Sequence, residues 1–259
     1  MCARKTGKNL LFLLILFCLS LSGFAANLVS EKPKIADLLK VDSIYQEARS
    51  SFDVYAKELY EEMNCEDMGY EPFVQALTGY HNLEKRGELK RKDIITVIDF
   101  SKPSNEPRFY ILDLCKRKLI HTSLVAHGRN SGGLYARHFS NEVNSRKSSL
   151  GFYVTTSTYH GKFKLALRLK GMEYSNSRAS SRGVVMHGAD YASYDFMEKN
   201  DCTLGRSYGC PALPHEGFEQ VVEWIKEGSC LYIYYPSKSY QRYSKYLNRS
   251  NYLEDFVAV

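Results

Sequence analysis

The stretch Gly-Arg-Ser-Tyr-Gly-Cys-Pro-Ala-Leu-Pro at residues 205–214 places one cysteine in a turn between two glycines and two prolines. Upstream of it the chain reads Met186-His187-Gly188. A cysteine attacks as the thiolate, which a neighbouring histidine or backbone N–H groups favour. Gly209 permits a sharp turn that directs N–H groups at one point, as an oxyanion hole requires. We therefore expect these elements to hold the sulfur of Cys210 ionised beside His187.

Two other roles for Cys210 fit its residue type. A disulfide between Cys202 and Cys210 is sterically conceivable, because turns rich in proline and glycine are common disulfide sites. A zinc site built from His187, Cys202, Cys210 and His215 has suitable ligand types, although its spacing matches no standard pattern. From the local chemistry the nucleophile, disulfide and metal hypotheses all stay open.

The first 25 residues have the pattern of a secretory signal peptide. Basic residues at the start precede an apolar run from Leu10 to Leu21, and small residues follow at Ala25 and Ala26, after either of which we expect cleavage. The apolar run is shorter than a bilayer span. We expect membrane contact to be transient and to pass through this peptide, with an uncleaved anchor as the alternative.

Composition limits the kinds of partner. The 259-residue chain carries a net charge of +6, which falls to +3 without the leader because the leader holds three basic and no acidic residues. This mild charge and the lack of any nucleic-acid motif argue against nucleic-acid binding. Five cysteines remain after the leader, an odd number that leaves at least one free thiol.

Helices are expected at both ends of the mature chain. Apolar residues recur at intervals of three and four from Ile35 to about Met63, and a second helix is predicted at 71–84, so residues 26–91 form a helical N-terminal segment. Another helix is predicted at 216–227. We expect the polar stretch 237–259 to be a solvated C-terminal tail.

Between these helices the pattern favours strands. Short runs rich in Val, Ile, Tyr, Phe and Leu, separated by turn residues, predict a mainly β domain with peripheral helices over residues 92–236. The long polar stretch 136–149 is predicted to be a loop. The predicted strands are Ile94–Phe100, Arg108–Leu114, Leu119–Ala126, Gly151–Tyr159, Phe163–Leu169, Val184–His187 and Cys230–Tyr235.

The two elements around His187 and Cys210 resemble the signature of the L,D-transpeptidase catalytic domain family (YkuD-like), specifically its murein L,D-transpeptidase branch. The resemblance covers roughly residues 70–235. One departure is Tyr208, where a second histidine often precedes Gly-Cys in the broader family, so His187 is the candidate base here. Further matching stretches are 98–104 (IDFSKPS), 126–132 (AHGRNSG), 139–141 (FSN) and 148–153 (SSLGFY).

The resemblance implies both a fold and a reaction. It implies a β-sandwich-like core with a helix beside the active site, and a periplasmic or cell-envelope protein of a bacterium that needs neither metal nor cofactor. Cys210 would form a thioester with a peptidoglycan stem tetrapeptide, and His187, oriented by the carbonyl of Gly188, would move the proton. An amine of another stem peptide, or a lipoprotein lysine, would accept the acyl group; the first gives a 3-3 cross-link.

Other residues near the signature are candidates for softer roles. Ser207 is expected either to hydrogen-bond near the thiolate or to stabilise the turn, and Gly209 to shape the catalytic turn. Guanidinium groups bind carboxylates in a bidentate way, so arginines here suit the carboxylates of a stem peptide. The candidate substrate-binding residues are Arg206, Tyr208, Arg129 and Arg182.

Two alternative functions use the same sequence features. Water in place of the amine would make the protein an L,D-carboxypeptidase or a hydrolase of wall-linked peptides. A structural or oxidised Cys210 would leave a non-catalytic envelope-binding protein. No feature of the sequence specifies an oligomeric state.

Overall fold

The computed structural model describes residues 35–162 and 164–248, with side chains from residue 43 onward. The chain divides into two units, residues 1–44 and 45–259, and the described part of the first is helical. The expected signal peptide lies outside the described residues. The fold described below is that of the second unit.

Two helices open the chain, α1 at Ile35–Glu62 and α2 at Tyr70–Lys85, close to the predicted bounds. In α1 the residues Phe52, Ala56 and Leu59 are buried, as their spacing predicts for one helix face. α2 packs on strands of the sheet. A Cβ at Gly79 would overlap the ring of Phe152, so this glycine lets the helix backbone lie directly on a strand residue.

Eight strands among the described residues form one mixed sheet in the order β3-β2-β1-β8-β4-β5-β6-β7. The pairs β1–β8 and β6–β7 are parallel, and the other neighbouring pairs are antiparallel. The mainly β fold class is confirmed, and seven strands lie where the sequence predicts them. The strands are β1 Ile94–Asp99, β2 Phe109–Asp113, β3 Lys118–Ser123, β4 Gly151–Gly161, β5 Lys164–Gly171, β6 Val185–Gly188, β7 Ala212–Leu213 and β8 Cys230–Tyr234.

The two ends of this sheet are joined by the residues that follow β3. Ala126 and Ala212 exchange backbone hydrogen bonds, with N···O distances of 2.8 and 3.3 Å. Ser207 N donates to His127 O (3.0 Å), and Arg129 N donates to Ser207 O (2.7 Å). The turn that contains Cys210 is therefore clamped between β6 and the stretch 126–129.

Three further helices lie on this framework. They are α3 at Tyr194–Glu198, α4 at Phe218–Ile225 and α5 at Lys238–Tyr243. α4 falls within the range predicted for it. Among the described residues no helix combines the length and the apolar character needed to cross a bilayer.

The expectation of a solvated tail is wrong for its described part. Tyr240 and Tyr246 are buried in the main core, and Asn82 Nδ2 donates to the carbonyl oxygens of Tyr246 and Asn248, both at 2.8 Å. Tyrosine has a large apolar body with one polar tip, so a stretch that looks polar in sequence can still bury much apolar surface. These contacts fasten the tail to α2.

Candidate active site

Cys210 and His187 are brought together by the short parallel pair β6–β7. His187 lies opposite Ala212 in the register, and His187 N donates to Pro211 O (3.4 Å). Two residues earlier on β6, Val185 N lies 3.5 Å from the sulfur of Cys210. Both Cys210 and His187 line one cavity of about 770 Å³, which we call the catalytic cavity.

The catalytic cavity has a basic lining. Four basic residues and one acidic residue, Asp201, contribute to its wall, together with Tyr208, whose side chain is 67% exposed. All four predicted substrate-binding residues are part of this wall, although one of them is occupied by other contacts, as described below. The basic residues are Arg129, Lys162, Arg182 and Arg206.

The imidazole of His187 is held in one tautomer. Its Nδ1 lies 2.9 Å from the carbonyl oxygen of Gly188, and because a carbonyl can only accept, Nδ1 carries the proton and Nε2 the lone pair. Burial lowers the pKa of His187 below its ordinary value; the bond to Gly188 opposes this shift, and the nearby His215 adds to it. His187 is therefore a neutral base at neutral pH.

The thiol of Cys210 differs from the sequence expectation. Burial raises its pKa, and the N–H of Val185 and the charge of Arg182 oppose that shift without cancelling it. The Sγ–H is directed at Gly183 O, at 3.7 Å. Burial therefore disfavours the resting thiolate that the sequence led us to expect, and it favours removal of the proton during the attack.

The turn around Cys210 is braced by Ser207. Its Oγ accepts from Gly209 N (3.0 Å) and donates to Cys210 O (2.6 Å). Of the two roles considered for Ser207, these bonds match stabilisation of the turn. Among the described residues the N–H groups of Tyr208 and Cys210 have no hydrogen-bond partner, so they can serve as oxyanion donors, whereas the N–H of Gly209 is occupied.

Position 209 requires glycine. Its φ is +124°, and a Cβ there would lie 2.8 Å from Lys147 O and 3.1 Å from Arg182 Nη2. Both the backbone angle and the close approach exclude a side chain. Gly209 thus lets the catalytic turn touch the loop that contains Lys147.

Arg182 holds that loop. Its Nη1 donates to Ser140 O (2.8 Å) and to Ser149 Oγ, and its Nη2 donates to Lys147 O (2.6 Å) and Ser145 Oγ (3.3 Å). From the sequence we expected Arg182 to bind substrate carboxylates. These four bonds instead make it the brace of the polar loop 136–149, with its charge close to the Cys210 sulfur.

Arg206 and Arg129 fit the predicted role better. Both are exposed, and both line the catalytic cavity. Arg206 Nη1 makes one bond, to Gly132 O at 3.2 Å, and the backbone of Arg129 anchors the side chain at the cavity edge. Their guanidinium groups are placed to meet an anionic ligand.

His215, which we considered above only as a zinc ligand, lies beside Gly188. A Cβ at Gly188 would lie 2.5 Å from His215 Nδ1, so His215 packs against the residue whose carbonyl orients His187. His215 Nε2 is 3.6 Å from Asp190 Oδ1. No sequence motif marks this contact; it arises because β7 runs alongside β6.

The two alternatives for Cys210 can be compared with the same geometry. Cys65, Cys115, Cys202, Cys210 and Cys230, the cysteines of the described residues, are all free thiols, and Cys202 is exposed. Within the described ranges no group of three or more His, Cys, Asp or Glu side chains is arranged to hold a metal ion. Cys210 is thus a free thiol that lines the same cavity as His187.

Comparison with known proteins gives one match over most of the chain. The family model described as the L,D-transpeptidase catalytic domain matches residues 64–234. No curated protein sequence matches the chain.

Several solved structures are similar to part of this chain at low identity. An L,D-transpeptidase from Mycobacterium smegmatis is 10% identical, with a TM-score of 0.35, over 55% of this chain and 59% of that one. L,D-transpeptidase 3 from Mycobacterium tuberculosis is 13% identical (TM-score 0.36; 55% and 61% covered). The helical cell shape determining protein Pgp2 from Campylobacter jejuni is 14% identical (TM-score 0.38; 62% and 57% covered). The chain thus spans less than two thirds of the length of each of these proteins.

Proposed function

The chain belongs to the L,D-transpeptidase catalytic domain family, and on that premise we propose that it is a peptidoglycan L,D-transpeptidase whose nucleophile is Cys210. The observation that carries this proposal is the meeting of Cys210 and His187 in one cavity, with the base tautomer set by the carbonyl of Gly188. A nucleophile, a base and an orienting acceptor are the parts that acyl transfer needs.

In the first step the thiol proton of Cys210 passes to Nε2 of His187 as the sulfur attacks the carbonyl carbon of the third stem residue. The N–H groups of Tyr208 and Cys210 donate to the oxyanion that forms. Collapse of this intermediate breaks the peptide bond to the terminal D-alanine, and His187 returns the proton to the leaving amine. The product is a thioester on Cys210.

In the second step the side-chain amine of another stem peptide attacks the thioester. The amine gives up a proton to His187, the carbon–sulfur bond breaks, and the thiol of Cys210 is restored. A 3-3 cross-link results. A lipoprotein lysine is the alternative acceptor, because it presents the same nucleophile.

The basic lining of the catalytic cavity supports a substrate with free carboxylates. Arg129 and Arg206 are exposed at its edge, and stem peptides carry carboxylates on their side chains and at their ends. The neutral state of His187 supports its role as the base, since an imidazolium cannot accept the thiol proton.

The proposed substrate lies outside the cytoplasm. A signal peptide at residues 1–25 would deliver the protein to the periplasm or cell envelope, and cleavage would leave the mature chain free of that segment. Mass determination of the N-terminus after secretion tests this; a protein that keeps residues 1–25 contradicts it.

Incubating the mature protein with a disaccharide-tetrapeptide tests the reaction. We expect dimers joined through two diamino acids, detected by mass spectrometry, with loss of these dimers in Cys210→Ala and retention in the matched control Cys202→Ala, whose thiol is exposed. Free tripeptide as the sole product contradicts transpeptidation and identifies a carboxypeptidase. Unchanged substrate, with no carbapenem adduct on Cys210 by intact mass, contradicts an enzyme and favours an envelope-binding protein.

A further inference from the structure

A second cavity, of about 690 Å³, lies on the other side of the polar loop. Three segments surround it: residues 137–147 of the loop, residues 173–178 after β5, and residues 235–244, which include α5. We call it the tyrosine groove. The mechanism proposed above uses none of its side chains.

The walls of the tyrosine groove are tied together by side chains. Asn141 Nδ2 donates to Tyr174 O (2.8 Å) and Ser177 Oγ (3.0 Å), and its Oδ1 accepts from Arg178 N (3.0 Å), so the loop is joined to the second segment. The buried carboxylate of Glu173 accepts from Tyr240 Oη (2.7 Å) and from Ser244 Oγ, which joins the third. Specific hydrogen bonds thus hold the three segments in place around the groove.

The surface of the groove is aromatic and rich in hydroxyl groups. Tyr174 and Tyr243 are 95% and 78% exposed, an unusual state for such large side chains. Phenol rings next to hydroxyls suit a ligand that is apolar on its ring faces and hydroxylated at its edges, which describes a pyranose sugar. The other lining aromatics are Phe139, Tyr235 and Tyr240, and the lining serines are Ser140, Ser175, Ser177, Ser237, Ser239 and Ser244.

The tyrosine groove differs from the catalytic cavity in its charged residues. Its wall has three basic and two acidic residues, against four and one in the catalytic cavity. Arg178 and Glu142 pair with each other at 2.8 Å, and the Glu173 carboxylate is engaged by hydroxyls and by Phe152 N. Most of these charges are thus satisfied internally, which favours an uncharged ligand over a carboxylate-rich one.

One contact joins the lining of the groove to that of the catalytic cavity, although no residue lines both. Lys147 lines the groove, and its carbonyl oxygen accepts from Arg182, which lines the catalytic cavity. The same oxygen is in van der Waals reach of Gly209, the residue before Cys210. Three extended residues span about 10 Å, so neighbouring cavities suit a ligand that joins a short peptide to a sugar.

We propose that the tyrosine groove binds the N-acetylated glycan strand to which the donor stem peptide is attached. This inference rests on the proposed function, because it takes the peptide at Cys210 as given. The groove would hold the sugar by ring stacking on Tyr174 and Tyr243 and by bonds to serine hydroxyls. It would thereby raise the local concentration of the peptide at the nucleophile.

Kinetics with two donors test the proposal. The double variant Tyr174→Ala/Tyr243→Ala should raise KM for a glycan-linked tetrapeptide about tenfold, since two exposed rings lose their contacts, and leave KM for the free tetrapeptide unchanged. Tyr194→Ala, an exposed tyrosine of α3 outside both cavities, is the matched control. An equal rise for both donors would mean that the groove holds peptide, and no rise for either would mean that it holds neither; each overturns the proposal.

Direct binding separates this proposal from the proposed function. A peptide-free tetrasaccharide of N-acetylated amino sugars, titrated into wild-type protein by calorimetry, should bind, and the double variant should bind it at least tenfold more weakly. This measurement does not require turnover, so an inactive protein that binds the sugar refutes the reaction alone. An active protein that does not bind it refutes the groove alone.

Discussion

The catalytic cavity and the tyrosine groove are linked by the bond from Arg182 to Lys147, yet different kinds of contact position their residues. The reactive groups of the cavity, Cys210 and His187, are positioned by backbone pairing between β6 and β7. The groove is lined by loop and tail residues held by side-chain bonds from Asn141 and Glu173. Chemistry that tolerates little misplacement lies on the sheet, and the surface that recognises a larger ligand lies on loops.

The two kinds of contact also differ in how easily each can be lost. His187 pairs with Ala166 of β5 and with Ala212 of β7, so displacing it disrupts backbone pairing on both sides. A side-chain bond such as that of Ser244 to Glu173 can be lost by itself. Substitutions in the cavity should therefore change the reaction rate strongly, and those in the groove should change binding or stability modestly.

The largest effect is expected at the base. His187→Gln should lower kcat/KM for the free tetrapeptide about a thousandfold, because the thiol proton loses its acceptor. Release of D-alanine measures this rate. His160→Gln, on the exposed part of β4, is the control and should keep wild-type activity.

The pH profile sharpens this first prediction. Because burial lowers the pKa of His187, the neutral base persists below its ordinary value of 6.5, and kcat/KM should fall on the acid side with an apparent pKa under that value. The acid limb should vanish in His187→Gln. An acid limb centred at or above 6.5 in wild-type protein would refute the neutral buried base.

The next largest effect is expected in the turn. Gly209→Ala introduces a Cβ 2.8 Å from Lys147 O at a φ of +124°, which costs about 1–3 kcal/mol and shifts the turn. Activity should fall roughly tenfold to a hundredfold, since small displacements of a nucleophile are costly. Acylation by a carbapenem, followed by intact mass, measures it.

Gly217→Ala controls for backbone strain without contact, because φ is +74° there and nothing lies within 4 Å. It should reduce stability slightly and leave acylation intact. If both variants are acylated equally slowly, the close approach of Gly209 to the loop is not the cause of the lost activity.

Loss of the bonds from Arg182 to the loop should affect both sites, with an effect of intermediate size. Arg182→Lys keeps the positive charge near Cys210 but cannot reproduce the four bonds to the loop, so the free energy of unfolding should fall by about 1–2 kcal/mol. Both free and glycan-linked tetrapeptides should react more slowly. Urea denaturation and the two kinetic assays measure these changes.

The matched control is Arg178→Lys, an exposed arginine paired with Glu142. It should leave the reaction of the free tetrapeptide unchanged. Loss of activity restricted to one of the two donors in Arg182→Lys would contradict a link between the two sites through Arg182.

The smallest effect is expected at the bond that joins the C-terminal segment to Glu173. Ser244→Ala removes one of the bonds to the Glu173 carboxylate and should lower the free energy of unfolding by about 0.5–1.5 kcal/mol. Thermal unfolding measures this change, with the exposed Ser239→Ala as control. A large loss of activity on the free tetrapeptide would show that the groove and the cavity are not built separately.

Much of the fold could be predicted from local pattern. The spacing of apolar residues predicted α1 and α2, and runs of β-branched and aromatic residues predicted seven of the eight strands. β7 was missed because Ala212 and Leu213 form a strand through pairing with β6, and a two-residue strand has no periodicity of its own. The tail was misjudged because its tyrosines find partners on α2 and Glu173, far away in the sequence.

The candidate site likewise has some features that the sequence predicts and others that only the fold explains. The residue types and the flanking glycines pointed to Cys210 and His187. The family match agrees with the resemblance to L,D-transpeptidases that these two elements show in the sequence. The roles of Arg182 and Ser207, and the contact of His215 with Gly188, depend on which segments the sheet brings together. Residue identity sets what a group can do, whereas contacts set what it does.

The sequence by itself determined the chemical inventory: a cysteine and a histidine in glycine-rich turns, arginines nearby, and the local preference for helix or strand. The tertiary structure alone decided that burial raises the pKa of Cys210 and lowers that of His187, and that Arg182, at the edge of one cavity, braces a loop that lines the other. The physical reason is that desolvation and strand register arise between residues distant in the chain, so no local stretch of sequence contains them.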